Sequence, residues 1–157
     1  MNPEFEIFTL LQRHDVPFVI IGGHAVNVHG YRRVTEDTDV IWARSPETER
    51  SLAAALSELE AKYIGEEIDP ATGIEKAYPV SPAFIQSMHL MMLWTNRGFL
   101  DLFDYIPGAP EEDVRQLFDT SIEGEGLRFA SLAWLRKMKK LSGRTKDLLD
   151  LENLPEE

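Results

Sequence analysis

The sequence predicts an α/β fold, because short apolar runs typical of buried strands alternate with segments of helical periodicity. Residues 18–21 form a run of β-branched and aromatic side chains that stops at Gly22-Gly23, where the backbone can turn sharply. A second apolar run, residues 40–42, follows Asp-Thr-Asp. Two longer runs within residues 88–106 flank Asn-Arg-Gly, which is typical of a β-hairpin. These segments supply the main strands of the predicted fold.

Two helices are predicted on either side of the first strand. Residues 4–14 carry apolar side chains at helical spacing and predict an amphipathic helix that ends before Pro17. Residues 24–29 predict a short helix that Gly30 ends. The Gly-Gly pair would therefore lie at the N-terminus of this second helix.

A third helix is predicted from Ser45 or Pro46 to about Lys62. Ser45 can cap the helix, Pro46 suits its first turn, and an apolar stripe follows at helical spacing. Residues 65–82 carry glycines, prolines and charges without clear periodicity. We expect them to form a loop with one short strand at most.

The C-terminal part is predicted to be mainly helical. Residues 111–119 and 131–141 have helical patterns, and a last helix is expected after Gly143 to about Leu154. A short strand near residues 127–129 follows a Gly-Glu-Gly turn.

The second arm of the hairpin, residues 99–106, presents one acid on each of its faces. Asp101 shares a face with the aromatic side chains at positions 99, 103 and 105, whereas Asp104 lies on the opposite face. Only one of these two acids can therefore point into a given site.

Length and composition predict a single domain, with a core at about residues 4–130 and a helical segment at about 131–157. The chain has no cysteine, which excludes disulfides and thiolate metal sites and is typical of a reducing cytoplasm. No apolar run approaches the roughly 20 residues needed to cross a bilayer, and the N-terminus is acidic. We expect a soluble cytoplasmic protein without membrane contact. The net charge of −11 argues against broad nucleic-acid binding.

The segment from residue 18 to residue 41 carries the pattern that points to chemistry. Backbone N–H groups at the start of a helix suit Gly22-Gly23 to a phosphate. Asp37 and Asp39 begin the next strand, and residues two apart on a strand project from the same face. Two carboxylates held that close repel each other unless a cation lies between them.

This arrangement resembles the nucleotidyltransferase superfamily, and more narrowly its small bacterial members related to abortive-infection toxins. Their pattern is a strand, Gly-Gly, a short helix and then Arg-x-Thr-x-Asp-x-Asp on the next strand. Here it reads Gly22-Gly23 followed by Arg33-Val34-Thr35-Glu36-Asp37-Thr38-Asp39. The resemblance implies a mixed central sheet flanked by helices, with the active site at one edge of the sheet.

The same resemblance implies a magnesium site with three carboxylate ligands. Asp37 and Asp39 would be the first two, and Asp101 on a neighbouring strand would be the third and would act as the base. Asp104 is the competitor of Asp101 for this role. Two Mg²⁺ ions are expected, with Mn²⁺ as a substitute, because two ions can clamp the attacking and leaving oxygens together.

The predicted nucleotide-binding residues come from both ends of the chain. Gly22, Gly23 and His24 lie at the start of the second helix, although packing or capping is the alternative for His24. Arg32 and Arg33 are expected either to meet phosphates or to pair with Glu36 or neighbouring acids. Thr35 is expected to hold the loop by a bond to the backbone, and His29 and His89 are interpreted as structural.

Residues 139–150 resemble the Lys-x-x-x-Gly-Arg-x-x-Asp-Leu-x-Asp pattern near the end of many small superfamily members. Lys139 and Arg144 are candidate phosphate contacts, since this segment concentrates positive charge in an acidic protein. Asp147 and Asp150 would orient these basic groups. The alternative is that the ion pairs only fix the last helix.

The leading hypothesis is transfer of a nucleoside monophosphate from a nucleoside triphosphate such as ATP to a hydroxyl of RNA, protein or a small molecule. The acceptor would bind to the short C-terminal part, come with a partner subunit or a second copy, or be absent. A non-catalytic nucleotide sensor or a component of a toxin-antitoxin pair is the alternative. Metal-dependent hydrolysis by the same carboxylates is a third hypothesis.

Overall fold

A computed structural model describes residues 3–35 and 37–156, with side chains from residue 5 onward. The helices in this part of the chain are α1 (Pro3–Arg13), α2 (Gly22–Val28), α3 (Pro46–Glu58), α4 (Pro82–Ser87), α5 (Val114–Asp119), α6 (Leu132–Ser142) and α7 (Thr145–Asn153). The strands are β1 (Phe18–Ile21), β2 (Asp37–Trp42), β3 (Lys62–Ile68), β4 (Glu75–Pro79), β5 (Leu90–Thr95), β6 (Gly98–Phe103), β7 (Ile122–Gly124) and β8 (Leu127–Phe129). Within these residues, no helix combines the length and apolar character needed to span a membrane.

All of these strands belong to one mixed sheet, in the order β4-β3-β5-β6-β2-β1-β8-β7. β2 lies between β1, to which it is antiparallel, and β6, to which it is parallel. β1 and β8 are parallel, and β5 and β6 form an antiparallel hairpin. The prediction of a mixed central sheet flanked by helices is confirmed.

Hydrophobic cores cover both faces of the sheet. On one face, Phe8 of α1 and Leu56 of α3 belong to the same buried cluster as Trp42 of β2. On the other face, a second cluster joins Leu117 of α5 and Met138 of α6 to the strands β1 and β2. Helices cover only part of this second face, since Met92 and Trp94 of β5 and Phe99 of β6 remain exposed there.

The structure confirms the strands predicted at residues 18–21 and 40–42 and the predicted hairpin. The first helix is confirmed as well. α2 begins at Gly22, two residues earlier than predicted, so that Gly22-Gly23 forms its first turn. The two C-terminal helices lie within two residues of their predicted bounds.

The prediction of a loop at residues 65–82 is wrong, because β3 and β4 pair there as an antiparallel ribbon. Most side chains of both strands are exposed, so the apolar alternation that identifies a strand is missing. The third helix ends at Glu58 rather than near Lys62, since Glu60 takes a left-handed conformation with φ 51°. The helix predicted at residues 111–119 begins only at Val114, after the capping residue Asp113.

The start of α3 provides a test of the local rules that define the fold. The side chain of Ser45 accepts a hydrogen bond from Thr48 N, and Thr48 Oγ1 accepts one from Ser45 N, which is a complete capping box. Ser45→Ala should therefore lower the free energy of unfolding by about 1 kcal/mol in urea denaturation. Ser57→Ala, an exposed change inside the same helix, is the control. Equal effects of the two substitutions would contradict the role of the cap.

Candidate active site

The three predicted carboxylates lie on neighbouring strands at the centre of the sheet. Asp37 and Asp39 are on β2, and the parallel register of β2 and β6 places Asp39 beside Asp101. Because residues two apart on a strand project from the same face, Asp37 shares this face with the other two. The structure therefore places all three side chains on one face of the sheet.

Asp39 and Asp101 are in direct hydrogen-bond contact. Burial raises the pKa of Asp39 to about 7, with further contributions from the charge of Asp101, from the hydrogen bond to it and from the charge of Asp37. Burial also raises the pKa of Asp101, although the hydrogen bond from Asp39 opposes this effect. A protonated Asp39 thus donates to an ionised Asp101, and the pair shares one proton near neutral pH.

Asp104, the competitor of Asp101, lies in a different environment. Its carboxylate accepts hydrogen bonds from Arg44 Nε at 2.7 Å and from His89 Nδ1 at 2.8 Å. Arg44 also donates to Glu49 and to backbone carbonyls, so it joins Asp104 to α3 and α4. The structure thus brings Asp101, and not Asp104, beside Asp39.

The Gly22-Gly23 corner closes against the carboxylates because neither residue has a side chain. Gly22 has φ +68°, and a Cβ atom at this position would lie 2.3 Å from Asp39 Oδ2. A Cβ atom on Gly23 would lie 2.4 Å from Thr35 Oγ1. Thr35 in turn donates to Asp37 O at 3.2 Å, which is the predicted bond from this side chain to the backbone. The diglycine is therefore required by close approach to the loop and strand that carry the aspartates.

Lys139 of α6 lies on the same side of the sheet and is buried between two acids of α7. Its Nζ atom is 2.7 Å from Asp147 Oδ1 and 3.0 Å from Asp150 Oδ2. Both aspartates are only 1% exposed, and Lys139 is 7% exposed. The positive charge of Lys139 lowers the pKa of Asp39, which places this lysine within electrostatic reach of the carboxylates.

Arg33 joins this buried network from the other end of the chain. Its Nε and one terminal nitrogen donate to the two oxygens of Asp150 at 2.8 and 2.9 Å, which is a bidentate pair. Burial opposes ionisation of Asp150, but the hydrogen bonds from Arg33 and Lys139 outweigh it and lower the pKa of Asp150. Of the two predicted roles of Arg33, pairing with an acid is the one observed. The acid is Asp150, which was not predicted as the partner of Arg33, and Glu36, the acid that the prediction named, lies outside the described residues.

Asp147 carries the remaining basic contacts. Burial alone would raise its pKa, but hydrogen bonds from Lys139, Ser142 and Arg144 together lower that pKa to about 2. Arg144 Nε is 2.8 Å from Asp147 Oδ2, and its side chain is 75% exposed. Asp147 and Asp150 therefore hold the basic groups in place, as expected for residues that orient them.

These groups surround one cavity of about 170 Å³. Its lining includes most of the predicted site residues: Gly22, Gly23, Arg33, Asp37, Asp39, Asp101, Lys139 and Arg144. His24 is the exception, because its ring is buried on the opposite side of α2 against Phe5 and Phe8, with edge-to-face geometry. The structure therefore places His24 in the packing role and away from the cavity.

The donor set suits a divalent cation. Carboxylate oxygens are the ligands that Mg²⁺ prefers, and a cation beside Asp39 and Asp101 would remove the repulsion between them. Asp37 is close enough to raise the pKa of both. Among the described residues, no three His, Cys, Asp or Glu side chains are already gathered closely enough to hold a metal ion. The fit to a cation rests on the contact between Asp39 and Asp101.

Ser142 is a site residue that the sequence reasoning missed. Its hydroxyl donates to Asp147, and it lines the cavity. The signal available was its place in the Lys-x-x-x-Gly-Arg segment, where it directly precedes Gly143 at the end of α6. A small polar residue at the end of a helix has no distinctive pattern without the acid that it contacts.

Comparison with solved structures identifies the fold as that of nucleotidyltransferases. The solution structure of the antibiotic-resistance factor ANT(2'')-Ia superposes with a TM-score of 0.57 and 16% identity over 97% of this chain and 83% of that one. The crystal structure of ANT(2'')-Ia in complex with adenylyl-2''-tobramycin superposes with a TM-score of 0.53 and 16% identity, over 93% of this chain and 82% of that one. An antigenic nucleotidyltransferase-like protein from Paracoccidioides brasiliensis superposes with a TM-score of 0.52 and 18% identity, over 96% of this chain and 74% of that one. No family model matches the sequence, and neither does any curated protein.

Gly22→Ala tests whether the corner needs its close approach to Asp39. Gly73→Ala is the matched control, because Gly73 has a similar φ of +73° but no atom within 4 Å of a Cβ. Both substitutions carry a left-handed penalty of about 1 to 2 kcal/mol, and only Gly22→Ala adds a steric clash of about 1 to 3 kcal/mol. Denaturation should therefore show a larger loss for Gly22→Ala. Equal losses would mean that the corner tolerates a side chain.

The raised pKa of Asp39 predicts a pH-dependent stability. An unfolded aspartate has a pKa of 3.8 and the folded Asp39 has a pKa of about 7, so the metal-free folded state binds more protons between these values. Its stability therefore falls as the pH rises from about 4 to about 7. Asp39→Asn should remove this loss and be the more stable protein at pH 8, by on the order of 1 to 4 kcal/mol.

Denaturation of both proteins between pH 4 and pH 8 in the presence of a chelator measures this difference. Asp119→Asn, an exposed change at the end of α5, is the control. An advantage of Asp39→Asn that is the same at both ends of the pH range would contradict the raised pKa.

Proposed function

We propose that this protein transfers a nucleoside monophosphate from a nucleoside triphosphate to a hydroxyl group, with pyrophosphate as the leaving group. The observation that carries the proposal is the contact between Asp39 and Asp101 beside the diglycine corner. Two partly buried carboxylates in contact are unfavourable for stability once both are ionised, so a role in cation and phosphate binding explains the pair best. The nucleotidyltransferase fold supports the same reaction class.

Asp37, Asp39 and Asp101 would hold Mg²⁺, with two ions as the expected number. Bound metal would neutralise the charge of the triphosphate and lower the pKa of the attacking hydroxyl. The proton shared by Asp39 and Asp101 must leave before metal binds, so metal affinity should rise with pH up to about 7. Mn²⁺ should substitute, because it accepts the same oxygen ligands.

The phosphates would lie in the cavity between the corner and α6. Gly22 and Gly23 allow the backbone to approach an anion closely, and Arg144 is an exposed cation at the rim. Asp147 and Asp150 already take two of the three N–H donors of Lys139. Lys139 would therefore contribute chiefly as a fixed positive charge, and Arg33 would hold Asp150 in place.

Asp101 would act as the base. As the hydroxyl oxygen of the acceptor bonds to the α-phosphorus, its proton passes to Asp101, and the bond from the α-phosphorus to the β-bridging oxygen breaks. Pyrophosphate then departs with the electron pair of that bond. Asp101 suits this task because it lies beside Asp39 at the edge shared by both cavities, where an acceptor hydroxyl can reach it.

The acceptor is the less defined part of the proposal. The complex of ANT(2'')-Ia with adenylyl-2''-tobramycin contains an adenylylated small molecule, which supports a small-molecule hydroxyl as one acceptor class. The narrower resemblance to abortive-infection toxins, and a role in a toxin-antitoxin pair, rest on the motif order alone.

Transfer of label from [α-³²P]ATP, in a cell extract with Mg²⁺ or Mn²⁺, tests the proposal. Wild-type protein should label an acceptor, and Asp39→Asn and Asp101→Asn should each lower the rate by about 100-fold or more. Asp113→Asn, an exposed change at the start of α5, should leave the rate unchanged. Labelling that survives both active-site changes would contradict the proposal.

Calorimetry separates catalysis from binding alone. Wild-type protein should bind ATP only with Mg²⁺ present. In Asp39→Asn, added Mg²⁺ should no longer increase the affinity for ATP. Magnesium-dependent binding without a labelled acceptor would favour a nucleotide sensor, whereas release of free AMP would favour hydrolysis. Asp104→Asn should keep magnesium-dependent binding, because Arg44 and His89 hold Asp104 outside the metal site.

A further inference from the structure

A second and larger cleft of about 1290 Å³ adjoins the candidate active site. Its part over β5 and β6 lies on the same face of the sheet as the carboxylates, and its lining continues to Tyr63 and Phe84, which pack against the core of the opposite face. Met92 pairs with Asp101 across these strands, and Trp94 pairs with Phe99. Paired residues on neighbouring strands project from the same face, so these apolar side chains continue the surface that begins at Asp101.

The floor of this cleft is unusually apolar for a surface. Met92 is 65% exposed, Trp94 is 49% exposed and Phe99 is 48% exposed. Trp94 and Phe99 meet edge to face, with ring centroids 6.0 Å apart. Tyr63 and Phe84 form a stacked pair that also lines the cleft. A contiguous apolar surface of this kind marks a binding site more often than a solvated face.

The cleft is placed where an acceptor must approach. Asp37 and Asp101 line both cavities, whereas Gly22 and Gly23 line only the smaller one. Phosphoryl transfer runs in line, with the attacking oxygen opposite the leaving group. With pyrophosphate at the diglycine corner, the hydroxyl therefore arrives from the side of the carboxylates that faces the apolar cleft.

The charges that line the cleft limit what can enter it. Asp37, Asp101 and Glu75 line it, together with His89 and with Asp104, which forms an ion pair with Arg44. Within the described residues, no lysine or arginine lines it. A polyanion such as RNA gains affinity by pairing its phosphates with lysine and arginine, and the described lining of this cleft offers neither. With Asp37 and Asp101 assigned to the metal and Asp104 paired with Arg44, Glu75 is the acid of the cleft that remains to attract a positive charge.

We propose that this cleft binds the acceptor, and that the acceptor is a small aromatic alcohol or phenol that carries an amine. Its ring contacts Met92, Trp94 and Phe99, its ammonium group faces Glu75, and its hydroxyl lies beside Asp101. This inference rests on the proposed transfer, because the in-line geometry assigns the acceptor to the cleft. The binding of such a molecule, however, can be measured without ATP.

Nuclear magnetic resonance of protein labelled with ¹³C at the methionine methyl groups provides the test. Met88 and Met92 line the cleft, while Met91 is buried outside both cavities and serves as the internal control. Tyramine is the probe, at saturating Mg²⁺. 4-Hydroxyphenylacetate is the matched anion, with the same phenol ring and a carboxylate in place of the amine. Tyramine should shift the signals of Met88 and Met92 only, and the anion should bind about tenfold more weakly.

Trp94→Ala should weaken tyramine binding by about tenfold, because it removes the largest exposed ring of the cleft. Leu149→Ala, an exposed apolar change on α7, is the control and should leave the affinity unchanged. A thermal melt of each variant shows that the fold is kept. Equal binding of tyramine and the anion, or an unchanged affinity in Trp94→Ala, would overturn the proposal.

Two further results would also overturn it. Shifts of Met88 and Met92 caused by Mg-ATP that exclude tyramine would place the nucleobase in the cleft. Displacement of tyramine by a single-stranded oligoribonucleotide would assign it to RNA. Failure of the two proposals is distinguishable: tyramine binding without label transfer from [α-³²P]ATP contradicts the proposed function alone. Transfer of label to an acceptor whose binding does not shift the methyl signal of Met92 contradicts only the proposal that the cleft binds the acceptor.

Discussion

The constraint on which the candidate site depends is the contact between two acidic side chains, Asp39 and Asp101, in a partly buried position. Parallel pairing of β2 with β6 fixes them side by side, and the missing side chain of Gly22 lets the adjoining turn close against Asp39. Water cannot fully solvate the second charge there, so one carboxylate keeps a proton near neutral pH. We propose that a divalent cation replaces that proton when metal is present.

A network of buried ion pairs lies beside Asp39 and Asp101. Lys139 lies between Asp147 and Asp150, and Arg33 closes the network through Asp150. Ion pairs this deeply buried contribute little net stability, because removing the charges from water costs about as much as their attraction returns. Their effect is to fix α6 and α7 against the loop before β2. The fold thereby brings positive charge from the C-terminus to the diglycine corner.

Local patterns predicted the centre of the sheet, the diglycine corner and the pair Asp37 and Asp39, whereas Asp101, Lys139 and Arg144 came from the resemblance to nucleotidyltransferases. β1, β2 and the β5–β6 hairpin have buried apolar side chains, and strand alternation alone put Asp101 and Asp104 on opposite faces. β3 and β4 were missed because their side chains are largely exposed on both faces.

Contacts between residues far apart in the chain were the other feature that the sequence could not predict. No local pattern joins Arg33 to Asp150, which lies 117 residues away, and His24 packs against α1 although it lies next to the diglycine. The apolar cleft did leave a signal in β5. Met91 and Leu93 are buried on one face while Met92 and Trp94 are exposed on the other, so both faces of the strand are apolar. A strand that is apolar on both faces indicates that something covers both of them.

The most direct measurement is a ¹³C titration of the side-chain carboxyl groups, with and without Mg²⁺. We predict that Asp39 titrates near pH 7 in the metal-free protein, that Asp101 responds to the same proton, and that Mg²⁺ lowers the apparent pKa of Asp39. An Asp39 that titrates near the ordinary value of 3.8 and does not respond to Mg²⁺ would contradict the contact, and with it the proposed chemistry.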